Sequence, residues 1–193
     1  ATIRPDAKMG YEACLQALEH PATAMGNVGA GTGATVGKLC GMERASKTGI
    51  GCYAMALGEL QVAAVVVVNA LGDIFDPANG TKIAGLMNED RTAFGDSCEE
   101  LWKLGCPQNL FTGNTTIGAV ITNGQFNKAQ VNKIASMTRN AYARCINPVG
   151  TMADGDSIYA ASIGDVKADI NVTGTLAAHV MERAIVKAVE SAR

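Results

Sequence analysis

Four short stretches carry side chains that could do chemistry. Asn114-Thr115-Thr116 places two hydroxyls directly after a carboxamide and opens the apolar run from Ile117 to Val120. A threonine hydroxyl is a weak nucleophile and needs a base beside it. Asp154-Gly155-Asp156 offers two carboxylates two positions apart. In an extended segment both point the same way and can act on one spot; the alternative is a solvated turn closed by Asx hydrogen bonds. Asn69 ends the valine run Val65 to Val68, where a polar amide must be hydrogen-bonded or functional. The fourth stretch, Gly26 to Gly41, is rich in glycine and holds Lys38. Its Gly29 to Ala34 segment fits the dinucleotide pattern G-x-G-x-x-A. No strand leads into it, however, and Thr48 to Cys52 lacks the expected acid. Gly33 to Lys38 is one residue short of a phosphate loop, with Leu39 where a metal-binding hydroxyl belongs. The plainer reading is a loop whose backbone passes close to a site. His20 and His179 read as surface or boundary residues at helix edges.

These groups need elements to position them. Apolar spacing at Met9, Ala13 and Ala17 predicts a helix over Asp6 to Glu19. Ile50 to Leu57 and Leu60 to Asn69 read as strands joined by Gly58-Glu59, the second fit for burial on both faces. Asp73 to Gly80, with Pro77 and Asn79-Gly80, reads as a turn. Asp90 to Leu104 is weakly helical and Cys106 to Gly113 irregular. Thr115 to Thr122 is a strand. Asn127 to Ile146 is one helix, with its stripe at Val131, Ile134, Thr138, Ala141, Tyr142 and Cys145. Asp156 to Ile163 is a strand, and Thr173 to Ala192 a closing helix. This order predicts sheets covered by helices.

Composition narrows the function. A chain of 193 residues makes one domain with a real core. A net charge of −2 without like-charge blocks argues against a nucleic-acid or anionic-membrane partner. The longest apolar run, Val62 to Val68, is far too short to cross a membrane. Six cysteines form no C-x-x-C pair, which argues against zinc-finger and redox motifs. Scattered thiols read as reduced core residues of a cytoplasmic protein. The chain starts without Met and reads as a processed piece or a fragment.

Taken together, Gly26 to Lys38, Val67 to Asp73, Asn114 to Ile117 and Asp154-Gly155-Asp156 resemble, in order and spacing, the DmpA-type L-aminopeptidase/D-esterases. That family includes β-peptidyl aminopeptidases and nylon-oligomer endo-hydrolases. The resemblance runs from about Arg4 to the C-terminus. It implies an α+β fold, an αββα sandwich of the DmpA/ornithine-acetyltransferase type, and an N-terminal-nucleophile hydrolase that cuts itself between Asn114 and Thr115. Residues 1–114 would become the end of an α-chain and residues 115–193 a β-chain, together one domain. By the same resemblance Thr115 is the nucleophile, its freed amine the base, and Asn69 the oxyanion donor. Lys38 would lower the amine pKa, while Asp154 and Asp156 would steady the ammonium form. A Ser and an acid are common in relatives at the Asp154 and Asp156 positions; the two Asp match the nylon-oligomer branch. The substrate stays open among L-peptides, β-peptides, amino-acid amides and linear amides. No cofactor or metal is implied. The expected partners are a small peptide or amide, like copies in a homo-oligomer of αβ units, and an upstream segment or chain that corresponds to nothing here. Two other classes compete: an inactive assembly or binding subunit of the same fold, and a nucleotide-binding domain built on Gly29 to Ala34.

Overall fold

One hairpin and one long helix frame the molecule. The computed structural model describes residues 4–20, 24–105 and 113–192. In chain order the elements are α1 (Ala7–Glu19), β1 (Thr35–Val36), β2 (Ser46–Lys47), β3 (Ile50–Leu57), β4 (Leu60–Val67), β5 (Asp73–Asp76), β6 (Thr81–Ala84), α2 (Ser97–Lys103), β7 (Ile117–Gly124), α3 (Lys128–Thr138), α4 (Asn140–Cys145), β8 (Ile146–Asn147), β9 (Ser157–Val166) and α5 (Ile170–Glu190). The main sheet has the order β3-β4-β7-β9; β7 and β9 run parallel and the other pairs antiparallel. A smaller sheet has the order β6-β5-β8, and β1 pairs with β2.

The predicted hairpin forms as read, with Leu57 opposite Leu60 across Gly58-Glu59. The closing helix α5 lies on β3 and β4, with α3 and α4 beside it. Gly51 lets it come close: a Cβ there would sit 2.1 Å from the Ala184 carbonyl oxygen. Val62, Ala64, Val66 and Val68 are buried under these helices, together with Val120 of β7.

The expectation that β4 is buried on both faces does not hold among the described residues. Ala63, Val65 and Val67 are only half-buried. The cross-strand partners put them on a face with Cys52, Ala54, Ala119 and Ile121. Helices cover one side of the sheet only. The described residues thus supply one helical layer on one sheet, plus α1, which buries none of its residues.

Other expectations shift locally. The helix read over Asn127 to Ile146 breaks at Arg139 into α3 and α4. Thr138 Oγ1 donates back to the Ile134 carbonyl at 2.8 Å, a bond that bends helices. The predicted stripe survives the break except at its start: Ile134, Thr138, Ala141, Tyr142 and Cys145 are buried, while Val131 is half-buried. The segment read as a turn from Asp73 forms a hairpin instead, β5 and β6 around Pro77 to Gly80. Helix α2 starts late, where Asp96 caps the Cys98 and Glu99 amides. Cys106 to Thr112, read as irregular, lies outside the described residues. Among the described residues the cysteines are free thiols and no helix is long and apolar enough to cross a membrane.

Candidate active site

The four stretches converge at the start of β7. Asn114 pairs with Asp154 in the register that β7 and β9 continue, Ile117 with Ser157. That ladder aligns the acidic motif with the threonines. The Gly155 amide donates to the Asn114 carbonyl at 2.9 Å, and the Ser157 amide to the Thr116 carbonyl at 3.1 Å. On the other side the Thr115 amide donates to the Asn69 carbonyl at 2.8 Å, because Asn69 continues β4 next to β7.

Thr115 Oγ1 donates to the Asn114 carbonyl at 2.5 Å. The carbonyl oxygen just before Thr115 therefore receives both the candidate nucleophile's hydroxyl and the Gly155 N–H. A side chain at residue 155 would displace this hydroxyl, since a Cβ would come within 2.8 Å of Thr115 Oγ1. Backbone N–H groups aimed at a carbonyl oxygen are the usual means of holding negative charge that develops there.

Asn69 is fixed at three points. Its Oδ1 accepts from Lys38 Nζ at 2.8 Å and from the Thr35 amide at 3.2 Å; its Nδ2 donates to the Gly113 carbonyl at 2.8 Å. In the continuous chain its amide therefore holds the carbonyl one residue upstream of the Asn114–Thr115 link. Lys38 Nζ also donates to the Asn69 carbonyl at 3.1 Å, the same oxygen that takes the Thr115 amide. Lys38 is buried, and desolvation lowers its pKa from 10.5 to about 8 against the opposing pull of the Asp154 charge.

The two carboxylates do not meet at one spot. Asp156 Oδ1 accepts from the Thr116 amide at 2.8 Å. Asp154 Oδ2 accepts from the Thr151 amide at 3.0 Å and the Thr151 hydroxyl at 2.7 Å, closing its own turn. Burial raises the Asp156 pKa; the Asp154 charge raises it further, while the Thr116 amide and Arg139 lower it. Asp156 thus steadies the backbone beside Thr115, and Asp154 reaches the site through charge and through its paired backbone.

The glycine-rich stretch is not a nucleotide loop. It enters a short 3-10 turn and then β1, with no helix behind it. Lys47 Nζ pins two of its carbonyls, Gly31 at 3.1 Å and Ala34 at 2.9 Å, and also donates to the Thr48 carbonyl. Held this way, the loop delivers the Thr35 amide and Lys38 to Asn69. Sequence reading missed Gly155, Thr35 and Lys47. Backbone donors leave no side-chain signature; a lone glycine between two acids was the available sign.

A family model described as peptidase family S58 matches residues 3–193. The chain belongs to this family. The S58 chain is 34% identical over 175 residues to an uncharacterized aminopeptidase of Mycobacterium leprae, covering 86% of this chain and 46% of that protein. It is 30% identical over 204 residues to the 6-aminohexanoate-oligomer endohydrolase of Agromyces sp., covering 96% of this chain and 56% of that enzyme. The L-aminopeptidase D-Ala-esterase/amidase of Ochrobactrum anthropi, described as a variant of the Ntn hydrolase fold, superposes with a TM-score of 0.60 at 18% identity, covering 89% of this chain and 46% of that one. The fold is therefore of the N-terminal-nucleophile hydrolase type, an α+β arrangement. The S58 chain spans about half the length of the curated relatives it matches.

Proposed function

We propose that this S58 chain is a self-processing amide hydrolase with Thr115 as its nucleophile. Thr115 Oγ attacks the Asn114 carbonyl carbon, and the oxyanion forms on the oxygen that the Gly155 amide already holds. The C–N bond breaks as the amide nitrogen takes a proton, leaving an Asn114 ester on Thr115 Oγ. Water then hydrolyses that ester, releasing the Asn114 carboxylate and restoring the Thr115 hydroxyl beside the amine freed in the step before. With Gly113 withdrawn, the Asn69 amide that now binds its carbonyl is free to join the Gly155 N–H at a substrate oxyanion. The new amine takes the Oγ proton during attack on substrate and later passes it to the leaving amine. Lys38 lowers the pKa of that amine, and the nearby carboxylates hold its protonated form.

The observation that carries this reading is the convergence of Thr115 Oγ1 and the Gly155 N–H on one carbonyl beside Asn69 and Lys38. The substrate is a peptide N-terminus or another short amide. The enzyme works in the cytoplasm, consistent with its free thiols, as an oligomer of αβ units completed by further polypeptide. Mass spectrometry of the purified chain tests the reading: it expects fragments ending at Asn114 and beginning at Thr115. The uncovered sheet face favours a second reading, an assembly subunit without activity, and a chain that stays whole would support it.

A further inference from the structure

We propose that the closed pocket around the Asn114 side chain becomes, after cleavage, the pocket for the side chain of the substrate's acyl residue, and that it selects short side chains, polar ones first. This rests on the reading of Thr115 as nucleophile. A single nucleophile and a single backbone donor define where a reacting carbonyl can lie. Thr115 Oγ1 and the Gly155 N–H both bear on the Asn114 carbonyl, so any later substrate places its own carbonyl there. Its acyl side chain must then follow the path of the Asn114 side chain. The uncleaved chain is thus the site's first substrate, and residue 114 reports what the site accepts.

That path is closed. Asn114 is 2% exposed. Its side chain lies on the same face as Thr116 and Gly118, two and four positions on in an extended ladder. The packed core underlies that face beside Thr116, where the buried Tyr142 donates its hydroxyl to the Thr116 carbonyl at 3.4 Å. Such a floor does not yield to a larger group without strain.

The pocket also has unspent polarity. Both side-chain polar atoms of Asn114 and the Thr116 hydroxyl are buried without a hydrogen-bond partner. Buried polar groups are normally satisfied, and exceptions call for an explanation. Tethered at both ends, Asn114 does not satisfy Thr116. A free substrate carries no upstream tether, and a short hydroxyl or amide tip can settle on the Thr116 hydroxyl. A site with a buried polar group of this kind discriminates against apolar isosteres.

The test uses the full chain in two parallel series. In the first, the self-cleaved wild-type enzyme is given L-aminoacyl p-nitroanilides of Ala, Ser, Asn, Leu and Phe. The expected kcat/KM for Ala, Ser and Asn exceeds that for Leu and Phe by about tenfold or more, with Ser above Ala. In the second, self-cleavage is timed in Asn114→Ser, Asn114→Leu and Asn114→Phe, and the rates should fall in that order. Thr116→Val should narrow the Ser-over-Ala ratio. Leu or Phe substrates hydrolysed as fast as Ala would overturn the proposal, as would Asn114→Phe cleaving at the wild-type rate. The wild-type substrate series does not depend on any variant folding. A wild-type chain that never cuts at Asn114 overturns the Thr115 reading itself, an outcome distinct from cleavage with the wrong selectivity.

Discussion

Two buried polar clusters sit on this fold, and they are built in opposite ways. At the start of β5, Asp73 is 1% exposed and saturated with donors: the Leu86 amide at 2.8 Å, the Ser97 amide at 3.0 Å, the Ser97 hydroxyl at 2.7 Å and Lys82 Nζ at 2.8 Å. At the start of β7, Asp156 has the Thr116 amide, Asn114 and Thr116 keep unpartnered polar atoms, and burial holds Lys38 at about pKa 8. A cluster with every bond made joins α2 and β6 to β5 and has nothing left to react. One with bonds missing carries free energy that a reaction can release. Buried charge alone therefore does not set these two clusters apart; incomplete satisfaction does.

Substitutions can break or sharpen this contrast. Thr115→Ala removes the proposed nucleophile and is expected to abolish both self-cleavage and hydrolysis, as seen by mass spectrometry and amide turnover. A cleaved Thr115→Ala chain would trace the cut to a contaminating protease. Asn69→Ala should lower turnover by about 10²–10³-fold with little change in KM. An unchanged turnover number would take Asn69 out of the oxyanion role. Gly155→Ala pushes a Cβ to within 2.8 Å of Thr115 Oγ1 and should slow self-cleavage by about 10²-fold, timed on gels.

The saturated cluster should respond in stability instead. Asp73→Ala removes the carboxylate partner of the part-buried Lys82 and leaves the Leu86 and Ser97 amides unpaired, and is expected to cost about 3–5 kcal/mol in denaturant unfolding. Asp156→Asn keeps an acceptor for the Thr116 amide while removing a charge whose pKa burial raises. It should leave the neutral-pH melting temperature unchanged or higher. A large drop there would make Asp156 a structural carboxylate like Asp73.

The smallest effect is electrostatic. Folded Lys38 titrates near pKa 8 and its unfolded form near 10.5, so between these the unfolded chain binds more protons. The contribution of Lys38 to stability therefore rises with pH across that window, and Lys38→Met should flatten the rise. Below about pH 8 the Lys38 charge favours a neutral Thr115 amine. In Lys38→Met the acid limb of kcat/KM should move to higher pH, and the two profiles should converge where Lys38 is neutral. Coincident acid limbs would remove Lys38 from the amine's surroundings.

The candidate side chains were legible in the sequence because each sits at the end of a recognisable element. Asn69 closes a valine strand, Thr115 opens another, and the acids precede a third. Adjacent strands in register then bring those ends together, which the motif order anticipated. The Gly155 N–H was not legible as a donor beside Asn69, since it belongs to the backbone and only the ladder aims it. The two carboxylates looked equivalent in an extended segment, and the turn that Asp154 closes on Thr151 separates them. The valine run suggested burial on both faces because apolarity records what a face tolerates, whereas helices cover one side of β4 here. Asp73 passed for a turn residue, its donors lying 9 to 24 positions away in the sequence.

The most direct measurement is the intact mass of the purified wild-type chain, followed over time after refolding. The account predicts that the full-length mass gives way to two species, one ending in the Asn114 carboxylate and one beginning with a free Thr115 amine. A mass that stays whole under conditions where the chain is folded would contradict it.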